Sequence, residues 1–263
     1  MRLLADLGNT RLKLAGFDGT RLQRLASFTH GDADYPARLI AWLDACALPQ
    51  ELWLASVAGP TRTAEATALF KRAGLDVRAV ATRGEALGLK VAYPRFEQLG
   101  VDRWLALLAM HAEHKAPCVV VSVGSALTCD GLAPGGRHLG GVIAPAPEAM
   151  RAALLARAPG LNGGSGQVSM FALNTADGIE SGCVLAGAAL IENAVNALSA
   201  RLGGPVGLVV SGGAADALRP FLPPHEFRPE LVLEGLAPAA RAVPARRRSP
   251  AARERPRRGR GPW

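Results

Sequence analysis

Residues 2–17 read RLLADLGNTRLKLAGF. Apolar residues alternate with polar ones on both sides of Gly8-Asn9-Thr10, which is typical of two β-strands joined by a tight turn. The chain therefore opens with a hairpin and not with a strand-to-helix crossover. Asp6 is expected at the end of the first strand, beside the turn.

The same plan returns at residues 116–145, APCVVVSVGSALTCDGLAPGGRHLGGVIAP, as strand, Gly-Ser turn, strand, Gly-rich turn and strand. Helical patterns follow each copy, at 34–47, 61–74 and 100–114 and then at 147–157 and 176–202, with buried strands at 51–59 and 206–213 and a last core segment at 231–237. Two such copies predict an α/β protein with two similar lobes facing a cleft. We place the lobes at residues 1–115 and 116–239.

The net charge of +8 belongs to the C-terminal tail alone. From Arg241 to Trp263 the chain holds nine arginines and one glutamate, so the preceding residues are balanced in charge. The tail has no hydrophobic period, and we predict that residues 240–263 are disordered. A nucleic-acid or membrane-surface arm, a solvated extension and an altered reading frame remain open for the tail, while the neutral body argues against nucleic-acid binding by the folded part.

Cysteine and histidine spacing gives no support to zinc or hydrolase chemistry. The four cysteines lie far apart without a CxxC pair, which is typical of reduced thiols in a cytoplasmic protein. No HExxH set and no GxSxG elbow is present. The N-terminus lacks a signal sequence and no long uninterrupted apolar segment occurs, so we expect a cytoplasmic protein without a membrane helix.

Two turns are candidates for binding phosphates. At Gly8 the backbone N–H groups can approach an anion closely, while Asp6 can hold a hydrated Mg²⁺. Around Gly124 the hydroxyl of Ser125 can bind another part of the same polyphosphate. Each turn alone is also compatible with an ordinary hairpin; together they favour a nucleotide site.

A third candidate is the start of the apolar helix at Gly100-Val101-Asp102-Arg103. Asp102 can accept a proton from a substrate hydroxyl while Arg103 pairs with an anionic group; Asp102 can equally be an ordinary helix-start residue. Because a guanidinium follows Asp102 directly, we expect the pKa of its carboxyl to be lowered.

The order of these motifs resembles that of the type III pantothenate kinases. The resemblance rests on DLGNTRLK (6–13), SVAGP (56–60), Tyr93, LGVDR (99–103), VGSALTCD (123–130), LGGVIAP (139–145), NTADGIESG (174–182), VVSGGAA (209–215) and LVLEGL (231–236). It implies two duplicated ribonuclease H-like lobes of the acetate and sugar kinase/Hsp70/actin superfamily around a nucleotide cleft. The implied activity is ATP-dependent phosphorylation of the 4′-hydroxyl of pantothenate, the first step of coenzyme A synthesis.

The resemblance also implies roles for individual residues. It assigns Asp102 as the general base, Asp6 as the residue that holds Mg²⁺ with ATP, and Thr175 as a contact to the pantothenate site of the other subunit of a homodimer. The ATP contacts would be Asp6, Leu7, Gly8, Asn9, Thr10, Arg11, Leu12, Lys13 and Ser125. The pantothenate contacts would be Tyr93, Gly100, Val101, Asp102, Arg103 and Thr175.

Ser122 departs from the family pattern, which usually has an aspartate there that binds potassium or ammonium. A neutral hydroxyl cannot offset the charge of a dehydrated cation. Either the cation is not needed, or it binds weakly through carbonyls, or the enzyme is impaired. Some family members are described as accessory factors for transcription, so a protein that keeps the fold without turnover is the alternative function; the survival of Asp6, Asp102 and Arg103 favours a kinase.

Overall fold

The computed structural model describes residues 1–46, 48–161 and 163–241. Its strands are β1 (Arg2–Leu7), β2 (Arg11–Phe17), β3 (Leu22–Thr29), β4 (Glu51–Ser56), β5 (Asp76–Ala79), β6 (Glu85–Ala86), β7 (Leu89–Lys90), β8 (Cys118–Val123), β9 (Ala126–Ala133), β10 (Arg137–Pro145), β11 (Gly207–Ser211) and β12 (Glu226–Phe227). Its helices are α1 (Tyr35–Ala45), α2 (Pro60–Arg72), α3 (Val101–Ala112), α4 (Pro147–Arg157), α5 (Thr175–Leu202) and α6 (Leu231–Arg241).

Two sheets of the same topology form the framework. The first has the strand order β3-β2-β1-β4-β5, and the second contains β10-β9-β8-β11-β12 in the equivalent positions. In both, the first strand is antiparallel to the second and parallel to the fourth. The duplication predicted from the two hairpins is thereby confirmed, and the turn after β1 corresponds to the turn after β8.

Helices α3 and α6 lie between the sheets and share one core with both. Leu105 of α3 and Leu236 of α6 are fully buried in a cluster that includes Leu4 of the first sheet and Val120 of the second. The helices approach so closely that a Cβ at Gly235 would overlap the carbonyl oxygen of Leu105. Helix α6, from the end of the described chain, therefore packs against elements of the first half of the chain.

Two segments pack with the other half of the chain from the one to which the predicted division after residue 115 assigns them. Strands β6 and β7 extend the second sheet along β10, and α6 returns to the first sheet. The segment predicted as a core element at 231–237 is a helix that continues to Arg241 through Pro238. Of the predicted tail, residues 240 and 241 belong to this helix, and residues 242–263 lie outside the described part of the chain.

Strand β3 was not predicted, because its side chains are mostly solvent-accessible and give no clear alternation. It lies at the edge of the first sheet, and Phe28 is its only buried residue. Helix α5 is long and apolar enough to cross a membrane by length and composition, and no other helix of the described residues is. Ile191 and Leu198 of this helix pack in the core of the second sheet, while 33% of its apolar stretch as a whole is buried.

Candidate active site

The turns that follow β1 and β8 meet each other. The Thr10 hydroxyl lies 3.1 Å from the Ser125 hydroxyl, and the guanidinium of Arg11 reaches Gly213 beyond the end of β11. Both turns stand at the carboxyl ends of parallel strands, where α/β folds bind ligands. The two candidate phosphate-binding turns are thus brought into one site.

The first turn is closed by its own backbone. The Gly8 N–H donates to the Arg11 carbonyl at 2.9 Å, and the Gly8 carbonyl lies 3.1 Å from Nε2 of His30. The Gly8 N–H is therefore used within the turn, and anion binding by the other backbone N–H groups of the turn stays a prediction. The exposed side chains of Asn9 and Thr10 remain available to a ligand.

Two of the residues assigned to ATP have no accessible side chain. Leu7 and Leu12 are fully buried and pack in the core of the first sheet, so only their main chain could contact a nucleotide. Val101, assigned to pantothenate, is also buried. The side chains of these three residues pack in the core, and their assignment as ligand contacts stays a prediction.

Asp6 lies in a cluster of charged side chains. It is the β-ladder partner of Lys13, and the Lys13 ammonium donates to the Pro229 carbonyl at 2.7 Å and forms an ion pair with Glu230 at 3.3 Å. Burial raises the pKa of Asp6 to about 7; Lys13 opposes this shift, and the charges of Asp102 and Glu230 add to it. Burial disfavours the charged form of the Asp6 carboxylate, and a positive charge beside it offsets that cost.

Asp102 lies in the first turn of α3. Its Oδ1 accepts from the Arg103 N–H at 2.8 Å, and Gly100 leaves room for this arrangement because a Cβ there would lie 2.5 Å from the same oxygen. Burial raises the pKa of Asp102, although this hydrogen bond and the charge of Arg103 lower it. The expectation of a lowered pKa is therefore wrong, since burial outweighs the neighbouring guanidinium.

The guanidinium of Arg103 is already paired. Its Nε and Nη2 donate to the two carboxylate oxygens of Asp130 at 2.7 and 2.6 Å. The Tyr93 hydroxyl lies 3.5 Å from both Nη1 and Nη2. Arg103 and Tyr93, predicted as pantothenate contacts from two distant parts of the sequence, are thus adjacent.

Ser122 lies in a row of hydroxyl residues across the second sheet. Its β-ladder partners are Thr128 on β9 and Ser211 on β11. Among residues 1–46, 48–161 and 163–241, no group of three or more His, Cys, Asp or Glu side chains is arranged to hold a metal ion. The row around Ser122 offers a monovalent cation only neutral hydroxyl oxygens, whereas the carboxylate of Asp6 is the kind of ligand that Mg²⁺ binds.

Thr175 is the exposed first residue of α5. No hydrogen bond or ion pair within the described ranges joins it to the residues above. Just before it, Met170, Phe171 and Leu173 are 70, 86 and 99% exposed. Large apolar side chains exposed together in this way are typical of an interaction surface.

Sequence reasoning assigned no role to Glu230, Asp130 and His138. Glu230 precedes the LVLEGL motif and Asp130 ends the VGSALTCD motif, so an acidic residue beside a motif was the available signal. Their partners Lys13 and Arg103 are far away in the sequence, and a single sequence gives no sign of such pairings.

Comparison with known proteins identifies relatives over most of the chain. The sequence model of the family described as "Type III pantothenate kinase" matches residues 2–197. A type III pantothenate kinase of Xanthomonas oryzae pv. oryzae is 42% identical over 242 residues, which cover 91% of this chain and 97% of the relative. One of Stenotrophomonas maltophilia is 42% identical over 244 residues, covering 92% and 98%.

Two solved structures share the fold at low sequence identity. One, a Campylobacter jejuni protein described as a Baf family transcriptional activator, has a TM-score of 0.58 at 19% identity and covers 91% of this chain and 98% of that one. The other, a Sinorhizobium meliloti protein described as a 2-dehydro-3-deoxygalactonokinase, has a TM-score of 0.55 at 17% identity, covering 92% and 99%. At these identities the likeness shows the fold alone.

Proposed function

The chain belongs to the type III pantothenate kinase family, and we propose how its own residues carry out the ATP-dependent phosphorylation of pantothenate in coenzyme A biosynthesis. The observation that carries the proposal is the charged cluster around Asp6 on the first strand: burial raises the pKa of Asp6, Lys13 is its β-ladder partner, and the charge of Asp102 on α3 acts on it. One carboxylate would serve the nucleotide and its metal, and the other would serve the acceptor hydroxyl.

Asp102 acts as the general base in this proposal. Its carboxylate accepts the proton of the 4′-hydroxyl while that oxygen forms a bond to the γ-phosphorus of ATP and the bond to the β–γ bridging oxygen breaks, which leaves ADP. The raised pKa of Asp102 strengthens the carboxylate as a base, and such tuning by burial is common in proton-transferring side chains. Arg103 and Tyr93 would bind the carboxylate end of pantothenate.

ATP would be bound at the meeting point of the two turns. Thr10 and Ser125 offer hydroxyl groups from opposite sides, and Arg11 and Lys13 offer positive charge. Mg²⁺ bound with ATP would be held beside Asp6 and would neutralise the charge that develops on the phosphates. Lys13 would exchange its contacts with Glu230 and the Pro229 carbonyl for the phosphates.

The monovalent cation of the family is not required in this proposal. The hydroxyl row of Ser122, Thr128 and Ser211 supplies oxygen atoms but no charge. The turnover number would therefore depend little on potassium or ammonium.

The active form would be a homodimer in the cytoplasm. Phe171 and Leu173 would pack against the second subunit and would bring Thr175 to the pantothenate site of that subunit. Sedimentation of the wild-type chain and of a Phe171→Ser/Leu173→Ser variant tests this point. The variant should be monomeric, bind ATP normally and lose turnover, while Phe221→Ser, which changes another exposed phenylalanine, should stay dimeric and active. A wild-type monomer with full activity would contradict the dimer.

The decisive experiment for the activity is a coupled assay with purified protein, ATP, Mg²⁺ and pantothenate, with the product identified by mass. Formation of phosphopantothenate and ADP in equal amounts supports the proposal. Folded protein that forms no product under any cation condition would overturn it.

A further inference from the structure

A buried ion pair lies between α3 and β9. The side chains of Arg103 and Asp130 are only 5 and 3% exposed, and they form two parallel N–H···O bonds. Gly141 on β10 makes this contact possible, since a Cβ there would overlap both Oδ1 of Asp130 and Nη2 of Arg103. Helix α3 and strands β9 and β10 therefore all contribute to this carboxylate–guanidinium contact.

His138 is the third member of this cluster. Its side chain is fully buried, and its Nε2 lies 3.0 Å from Oδ1 of Asp130. On the other side of the ring, the Ala92 N–H donates to Nδ1 at 3.4 Å. These two partners assign the neutral tautomer in which Nε2 carries the proton and donates to Asp130.

The same histidine fixes the segment that carries Tyr93. Ala92 directly precedes Tyr93, and the Tyr93 and His138 rings lie 5.8 Å apart. The guanidinium of Arg103 lies over the Tyr93 ring at 6.0 Å from its centre. One Asp–His pair is therefore in contact with both side chains that would receive the carboxylate of pantothenate.

The pattern of hydrogen bonds leaves part of the guanidinium available. Of the five N–H donors of an arginine, two are used by Asp130. Besides these bonds the guanidinium makes only long contacts within the described residues, since the Tyr93 hydroxyl lies 3.5 Å from both Nη1 and Nη2. A planar guanidinium held from one edge presents its other edge in a fixed orientation, which suits recognition of a second carboxylate.

We propose that Asp130 and His138 are positioning residues that hold Arg103 and Tyr93 in the orientation that recognises an anionic carboxylate end of the substrate. This inference rests on the proposed function. It adds that two residues without substrate contact, Asp130 and His138, make the enzyme prefer a substrate with a carboxylate end over one with an uncharged end. Because a buried ion pair is seldom a net source of stability, a role in orientation gives a reason for its presence here.

The test compares two acceptors in the holoenzyme with Mg-ATP: pantothenate and its primary amide, in which the carboxylate becomes an uncharged carboxamide. In the wild-type protein, KM should be lower for pantothenate than for the amide. Asp130→Asn should raise KM for pantothenate by about 10- to 100-fold, the loss expected for a misoriented charge-assisted hydrogen bond. It should change KM for the amide and for ATP by less than about 3-fold.

Two His138 variants separate positioning from packing. His138→Gln keeps a donor for Asp130 and should keep most of the preference for pantothenate, whereas His138→Leu fills the space without a donor and should lose it. These variants retain the Arg103–Asp130 pair, so they decide the question if Asp130→Asn does not fold. Glu51→Gln, which breaks the ion pair with Arg78 at 2.7 Å in the first sheet, is the matched control and should leave both KM values unchanged.

The outcomes distinguish this inference from the function on which it rests. A wild-type protein that phosphorylates neither acceptor refutes the proposed function. The positioning role is refuted if the wild-type protein is active but the His138→Leu and Asp130→Asn variants lose affinity equally for pantothenate and the amide. It is also refuted if these variants lose no affinity for either acceptor.

Discussion

The Thr10 and Ser125 hydroxyls lie 3.1 Å apart although 115 residues separate them in sequence. Each belongs to a turn that repeats the other, one in each half of the duplicated fold. These two side chains are hydrogen-bonded to each other. Phosphate oxygens of ATP would replace that mutual contact.

Removing either hydroxyl is therefore expected to weaken ATP binding more than stability. Ser125→Ala and Thr10→Val should each raise KM for ATP by about 10-fold, because a hydrogen bond to a charged phosphate is lost. The melting temperature should change little, since both side chains are exposed. Steady-state kinetics and thermal melts measure the two effects, with Asn196→Ala, which removes a polar group from an exposed position of α5, as the control. A normal KM in both variants would remove these hydroxyls from the ATP site.

Asp102→Asn is expected to lower kcat by about 100- to 10,000-fold, the usual contribution of a general base. KM for ATP should be nearly unchanged, because Asp102 would act on the acceptor hydroxyl. A protonated Asp102 cannot act as a base, so kcat should fall as the pH is lowered. Because burial raises the pKa of Asp102, this fall should begin at a higher pH than for an aspartate with an ordinary pKa. The control is Glu97→Gln, in the exposed turn before α3. An unchanged kcat for Asp102→Asn would exclude it as the base.

Asp6 should make the unliganded protein less stable as the pH rises. Its pKa is about 7 in the fold against an ordinary value of 3.8, so the folded state binds the proton more tightly than the unfolded chain. The free energy of unfolding therefore falls as the pH increases from 3.8 to about 7. Asp6→Asn should be more stable than the wild-type protein by about 2–4 kcal/mol near pH 8, and by much less near pH 4.

Thermal melts at several pH values, with Asp76→Asn on β5 as an exposed control, measure this difference. Mg-ATP should stabilise the wild-type protein and not Asp6→Asn, because the variant lacks the carboxylate that would hold the metal. A stability difference that does not depend on pH would show that Asp6 titrates normally.

Potassium is expected to have little effect on the wild-type rate. Initial rates in potassium chloride and in choline chloride of equal ionic strength should agree within about 2-fold, because the hydroxyls around Ser122 offer no charge to a dehydrated cation. Ser122→Asp supplies that charge and should make the rate dependent on potassium. Strong activation of the wild-type protein by potassium would show that neutral oxygen atoms suffice.

The contact between α3 and α6 should be sensitive to a single methyl group. Gly235→Ala places a Cβ against the carbonyl oxygen of Leu105. Because this backbone atom cannot move aside as a flexible side chain can, the variant should lose about 2–4 kcal/mol in the free energy of unfolding. Gly187→Ala on α5 is the matched control, because the added Cβ would lie 3.1 Å from the flexible side chain of Leu218. That variant should stay within about 1 kcal/mol of the wild-type protein. Denaturant unfolding measures both, and equal effects would refute the distinction.

The part of the site that could be predicted from the sequence is the part encoded locally. The hairpin with Asp6 and Thr10 and its repeat with Ser125 are visible as short patterns, and the duplication follows from them. The contacts of Lys13 with Glu230 and of Arg103 with Asp130 could not be predicted, because they depend on how α6 and β9 pack. The raised pKa of Asp102 was missed for the same reason, since burial is a property of the folded chain and outweighs the neighbouring charge.

Helix α6 has a consequence for the synthesis of the protein. Leu231, Leu233 and Leu236 fill the core beside Leu4 and Trp104, which belong to the first half of the chain. The N-terminal half is synthesised before residue 231, so Leu4 and Trp104 lack their contacts with α6 until the second half has been made. The part of the enzyme that is translated first is thus completed last. A nascent chain that stalls before α6 would lack these contacts and would also lack Glu230 beside Lys13.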